Sequence, residues 1–303
     1  MPRYDYVLFD ADNTLFDFDR AEAEALRTTL AEYGLPATPE TEETYLAVNR
    51  ALWAQFDRGE VSREWLVVER FARLLRALGR SGDPAAVNHA YLTHLGEGAF
   101  LLPGAEELCR ALAPCCTLAI VTNGVAMAQR ARFEASPLRD VVPWLFISEE
   151  VGASKPDPAF FAPVLRALGE PDRARVLMVG DNLLTDIQGG KNAGLDTAWF
   201  NPRRLPGDPA VVPTWEADGF PALRALILGG GSRTNASTFS GAHINACGNI
   251  RAANARLPAS FSHTIARTGR CSSAQANVHK PAGPAPRINT VSSGPICEMR
   301  AAQ

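Results

Sequence analysis

Lysine is nearly absent. Of 30 basic side chains in 303 residues, only Lys155, Lys191 and Lys280 are lysines. Wherever a generic positive charge is wanted, this chain uses arginine, so each lysine invites a specific explanation. Long hydrophobic runs are missing too. None approaches the roughly 20 apolar residues that span a bilayer. The opening MPRYDYVLFD meets an acid at position 5 and carries no signal-peptide core. Six cysteines are irregularly spaced, Cys115 and Cys116 are adjacent, and no CxxC occurs, which argues against a zinc site or a disulfide framework. The formal charge of −3 gives no general attraction to polyanions or membranes. These absences lead us to expect a soluble cytoplasmic protein with reduced thiols.

What is present is enough for a large core, since 46% of the residues are hydrophobic. The charge is uneven. Residues 229–303 carry a net charge of +7, leaving −10 for residues 1–228. That tail begins GGGS, is rich in Gly, Ser, Asn, Ala and Pro, and has no sustained period. It is expected to be a disordered basic extension. Its scattered charges lack interleaved aromatics, so no nucleic-acid polymer is expected as a partner.

Residues 5–10 (DYVLFD) read as a short buried strand. Residues 19–33, 40–58, 62–79 and 83–97 then read as helices, the third capped by Ser62. Beyond them, strands at 117–124, 144–148, 175–182 and 196–201 alternate with helices at 104–112, 125–135, 157–169 and 183–193. A last helix fits 219–228. Alternating strands and helices imply an α/β fold with a parallel sheet covered on both faces. The all-helical block interrupts that alternation and reads as an insertion. We therefore expect a catalytic core at 1–16 and 102–228, an α-helical cap domain at 17–101, and the tail.

In such a sheet, ligands collect at the carboxyl ends of the strands. Three apolar runs end there in polar residues: Asp10 and Asp12, then Thr122 and Asn123, then Asp181. Each pair has a bland alternative, because Asp, Asn and Thr also close turns and cap helices. Thr122-Asn123-Gly124 opens a helix and could meet an anionic oxygen. Lys155, in ASKPDP, could neutralise a phosphate as a compact charge. GDNLLTDI (180–187) supplies Asp181 and Asp186.

Together these four segments resemble the haloacid-dehalogenase-like (HAD) hydrolase superfamily, over about residues 1–228. The resemblance implies a Rossmann-like core with a helical cap. It also implies that Asp10 is a nucleophile forming an aspartyl-phosphate, and that Asp12 protonates the leaving oxygen and later deprotonates water. A carboxylate 4 Å from a phosphate dianion is repelled by roughly 8 kcal/mol at an effective dielectric of about 20. A cation must cancel that. Mg²⁺, or Mn²⁺ as an alternative, suits an all-oxygen site of the Asp10 and Asp181 carboxylates and the Asp12 carbonyl. Thr122, Asn123 and Lys155 would hold phosphoryl oxygens. Asp186 would stand behind them, orienting Lys155 or a water.

The second carboxylate argues for phosphoryl transfer, since the superfamily's dehalogenases carry another residue there. FDADNTLFDFD (9–19), TNGVAMAQRARFEASPLRD (122–140) and FISEEVGASKPDPAFF (146–161) are similar to the YjjG-type pyrimidine 5'-nucleotidase subgroup, with Asn13 where a Glu is common. That implies a small phosphomonoester substrate: UMP, dUMP or dTMP, with phosphoglycolate or a sugar phosphate as the alternative. In the cap, Trp53, Phe56 and Trp65 could stack on a base, though aromatics at helical spacing more often pack a core. Phe16 and Phe18 could line the entrance, and Arg58 or Arg63 could reach a base carbonyl. Oligomeric state has no signature in the sequence.

Overall fold

The computed structural model describes residues 2–229; from residue 230 onward the expected tail lies outside the described residues. The chain begins with β1 (Tyr6–Phe9), then four helices: α1 (Phe18–Glu32), α2 (Pro39–Asp57), α3 (Arg63–Ala77) and α4 (Pro84–Glu97). Alternation follows: α5 (Ala105–Leu112), β2 (Thr117–Thr122), α6 (Ala126–Ala135), β3 (Trp144–Ile147), α7 (Ser148–Val151), α8 (Pro158–Ala167) and β4 (Val176–Gly180). The chain closes with α9 (Gln188–Asn192), β5 (Asp196–Phe200), β6 (Trp215–Ala217) and α10 (Phe220–Leu228).

All strand pairs are parallel, in the order β3-β2-β1-β4-β5-β6. β1 is central, which is why YVLF has no polar position: parallel strands are covered on both faces. Val7 and Phe9 pack into one core layer with α5 and α10, while Leu8 points into the layer under α8. The same period of two recurs in β4, with Leu177 and Val179 on the first side and Val176 and Met178 on the other. Phe9 pairs with Ile120 on one side and Val179 on the other. The residues following β1, β2 and β4 therefore emerge side by side at one sheet edge.

The four inserted helices form a cap with its own apolar cluster, built on Leu26, Leu30, Tyr45, Phe71, Leu74, Tyr91 and Leu95 and seated against Ala128 of α6. Ser62 caps α3 as expected, its Oγ accepting from the Trp65 N–H at 3.3 Å. The outgoing and returning chains cross antiparallel at the cap base. Asp17 N–H donates to the Phe100 carbonyl at 3.0 Å, and Leu102 N–H to that of Leu15 at 2.9 Å.

Two readings of local structure need correction. The stretch 183–193 is not one α-helix but a π-helical turn, Leu183–Ile187, running into the short α9. Its start is capped from both sides: the Asp186 carboxylate accepts from the Asn182 N–H at 3.1 Å, and Asn182 Oδ1 accepts from the Leu184 N–H at 2.9 Å. β6 has no counterpart in the sequence reading, because three residues with an exposed Glu216 show no period. No disulfide joins Cys109, Cys115 and Cys116. No helix among the described residues is long and apolar enough to cross a membrane.

Candidate active site

Asp10 follows β1, and its N–H extends the sheet by donating to the Val179 carbonyl at 2.8 Å. Its side chain is almost fully buried. Lys155 reaches it from the loop before α8, with Nζ 2.7 Å from Asp10 Oδ1. The same ammonium donates to Asp186 Oδ1 at 2.7 Å and to the Val121 carbonyl at 2.8 Å. An ammonium has three N–H donors, so all of them are engaged within the protein. Lys155 thus fixes Asp10 and lends charge to the site, while its donors are taken.

Asn123 is placed differently from expectation. Its side-chain amide donates to the Lys155 carbonyl at 2.8 Å, and its Oδ1 accepts from the Lys155 N–H at 2.9 Å. This two-way clamp holds the lysine's backbone and occupies the Asn123 carboxamide. Thr122 Oγ1 accepts from the Gly124 N–H at 3.1 Å. The Lys155–Pro156 peptide is cis.

Asp10, Asp181 and Asp186 each present a carboxylate oxygen within 4.8 Å of the others. Burial pushes the Asp10 carboxyl up; Lys155 opposes this, and Asp186, Asp181 and Asp12 add to the rise. Asp181 is pushed up to about 7, first by burial and then by Asp186. Burial lowers the Lys155 ammonium, but Asp10 and Asp186 outweigh it, and the net shift is upward. Three crowded carboxylates share one lysine, so a hard divalent cation with oxygen preference fits this donor set. Gly180 has a packing reason: a Cβ there would stand 2.2 Å from Asp186 Oδ2.

Asp12 lies apart from that triad. Its carboxylate accepts from Arg132 Nη1 at 2.6 Å and from Gln129 Nε2 at 2.5 Å. Neither α6 residue was singled out from the sequence, although Gln129 and Arg132 stand three positions apart just after TNG. Asp57 was missed as well. At the end of α2 it is half-buried, and burial, then Asp186, pushes its carboxyl up to about 6. It lines a cavity of about 450 Å³ with Phe56, Arg58 and Lys155.

The cap candidates separate. Phe56 faces that cavity, and Trp53 packs edge-on against it at 5.5 Å. Trp65 is exposed, with Arg73 over its ring at 5.8 Å. Arg58 pairs with Glu60 at 2.6 Å. Arg63 is buried, with Nη2 2.6 Å from Ser148 Oγ and 3.3 Å from Ser154 Oγ, so it ties the cap to the core. Phe16 is not at an entrance: it is buried beneath the Arg132 guanidinium, which also lies 5.8 Å from the Phe18 ring. A larger cavity of about 780 Å³, between α5 and α10, is lined mainly by apolar residues and holds none of the site residues.

The family model described as haloacid dehalogenase-like hydrolase matches residues 4–194. The chain is similar to YfnB of Bacillus subtilis, described as a HAD-hydrolase, at 38% identity over 71% of this chain and 92% of that one. It is 37% identical to the pyrimidine 5'-nucleotidase YjjG of Escherichia coli, over 74% of this chain and 98% of that one. It is 35% identical to the pyrimidine 5'-nucleotidase PynA of Streptococcus pneumoniae, over 73% and 93% respectively. A crystal structure of YfnB bound to magnesium superposes with a TM-score of 0.71 at 36% identity, covering 74% of this chain and 99% of that one.

Proposed function

The chain belongs to the haloacid dehalogenase-like hydrolases, and on that premise we propose that it is a Mg²⁺-dependent phosphatase of pyrimidine nucleoside 5'-monophosphates. The observation that carries the chemistry is the buried Asp10–Lys155–Asp186 cluster at the carboxyl edge of the sheet. One oxygen of Asp10 is fixed by Lys155, which leaves the other as the nucleophile. The pyrimidine assignment is supported by YjjG and PynA, which this chain matches over nearly their whole length.

Asp10 attacks phosphorus. As the new O–P bond forms, the P–O bond to the nucleoside breaks, and Asp12 gives its proton to the departing oxygen. Water then attacks the same phosphorus and passes a proton to Asp12. The aspartyl O–P bond breaks, so phosphate leaves and both carboxyl groups return to their starting states. Thr122, the Asn123 main-chain N–H and the charge of Lys155 meet the phosphoryl oxygens. Asp10, Asp181 and the Asp12 carbonyl would hold Mg²⁺, with Asp186 behind them, and the bound ion supplies positive charge against the repulsion between carboxylate and phosphate. Phe56 lines the cavity that Lys155 also lines, which supports it as the cap aromatic that meets a base.

Phosphate release from a panel tests the reading. With Mg²⁺ present, UMP, dUMP and dTMP are expected to exceed purine monophosphates, phosphoglycolate and sugar phosphates by at least about tenfold in kcat/KM, about 1.4 kcal/mol of discrimination. A flat profile, or a sugar-phosphate preference, would remove the nucleotide assignment and leave the chemistry at Asp10.

A further inference from the structure

We propose that Gln129 and Arg132 are positioning residues for Asp12, holding its carboxylate in the one orientation from which it exchanges protons with the substrate. The inference rests on the reading of Asp12 as proton donor and acceptor.

Three observations carry it. First, both Asp12 oxygens have a dedicated donor from α6: Arg132 Nη1 on Oδ1 at 2.6 Å and Gln129 Nε2 on Oδ2 at 2.5 Å. Residues three apart on a helix share a face, so one rigid element presents both donors. Second, the Arg132 side chain is 0% exposed, while that of Asp12 is 25% exposed. Arg132 lies against the Phe16 ring at 4.8 Å, and its Nε and Nη2 have no partner among the described residues. A buried guanidinium with two idle nitrogens is a poor way to gain stability, since an apolar side chain of similar volume often does as well or better. Its presence needs another reason, and among the described residues its one polar contact is Asp12. Third, Gly124 is in ordinary backbone territory, yet a Cβ there would stand 2.2 Å from Gln129 Nε2. Glycine at this position clears the path of Gln129 to Asp12.

The two donors differ in a way that assigns roles to the two oxygens. Arginine can only donate, whereas a carboxamide can donate or accept. Oδ1 therefore stays bound to Arg132 throughout. Oδ2, facing Gln129, is the oxygen that carries the travelling proton. Fixing the carboxylate removes the rotations that would take Oδ2 away from the leaving oxygen.

A double-mutant cycle tests this on the full chain with Mg²⁺. General acid–base transfer contributes about 100-fold or more, so Arg132→Met is expected to lower kcat for dTMP by about 100-fold with KM within about threefold. In an Asp12→Asn background the same change is expected to cost under about threefold, because the group it positions is gone. The first-turnover burst of p-nitrophenol from p-nitrophenyl phosphate, whose leaving group needs no proton, is expected to keep its rate. Equal losses in both backgrounds, or a burst slowed as much as dTMP turnover, would overturn the proposal. If Arg132→Met does not fold, Gln129→Leu carries the same cycle. An Asp12→Asn enzyme with an unchanged kcat would instead overturn the underlying reading of Asp12, whereas an Asp12→Asn enzyme slowed about 100-fold or more beside an unimpaired Arg132→Met would overturn only the positioning role.

Discussion

Lys155 shows how much of the site one residue can organise. Its three donors reach a strand carbonyl and two carboxylates, and its backbone is clamped on both sides by Asn123. Replacing it by Met leaves Asp10 and Asp186 buried without a counter-charge. Breaking a buried pair in this way costs about 3–5 kcal/mol, so Lys155→Met is expected to shift urea unfolding at pH 7 by that amount as well as silencing turnover. Asp10→Asn isolates the chemistry from the packing. The amide oxygen can still accept from Lys155, but nothing attacks phosphorus, so kcat is expected to fall roughly 10⁴-fold or more with little change in unfolding midpoint. Substantial residual phosphate release would point to direct attack by water. The scarcity of lysine in the sequence was a usable signal for this residue. The clamp by Asn123 was not legible, because a Thr-Asn-Gly opening reads equally well as an anion site or a helix cap.

At the scale of elements, the cap is held by more than its apolar cluster. Glu22 of α1 accepts from Asn49 Nδ2 at 2.7 Å; Asn49 and Asn88 in turn accept from Arg70 of α3 at 3.2 and 2.8 Å. Burial is the main force on Glu22 and pushes its carboxyl up from 4.5 to about 7, with Arg70 opposing. The folded state then holds its proton more tightly than the unfolded chain. Stability associated with this group is present below about pH 4.5 and is lost as the pH rises to about 7, a change of about 3 kcal/mol. Glu22→Gln keeps an acceptor for Asn49 and removes the charge. Urea unfolding is expected to find the variant more stable than the parent at pH 8 and similar at pH 4.5; an advantage independent of pH would contradict the assignment. The periodicity of α1 to α4 made these helices readable. The polar network between them was not, since its partners are 18 to 27 positions apart.

For the whole molecule, the proposed cation site would link the ends of β1 and β4, since Asp10 and Asp181 each offer it a carboxylate oxygen. A ligand at 100 times its dissociation constant stabilises the state that binds it by about 2.7 kcal/mol. Saturating Mg²⁺ is therefore expected to raise the thermal unfolding midpoint of the full chain, and Asp181→Asn to weaken that shift. EDTA is expected to abolish phosphate release and added Mg²⁺ to restore it. Hydrolysis indifferent to chelation would refute the metal-dependent reaction.

The sequence by itself determined the alternation of strands and helices, the break in it at the cap, the three polar segments that end buried strands and the lysine loop that joins them. Each depends on residues near one another in the chain, where period and turn chemistry act. Only the tertiary structure decided that Gln129 and Arg132 meet Asp12 across 117 and 120 positions, that Asp57 descends from α2 toward Lys155, and that Phe16 lies under a guanidinium rather than at an entrance. Those contacts arise from the register of parallel strands and the seating of α4 on α6. Neither leaves a local pattern, because the burial that selects them exists only once distant segments have packed.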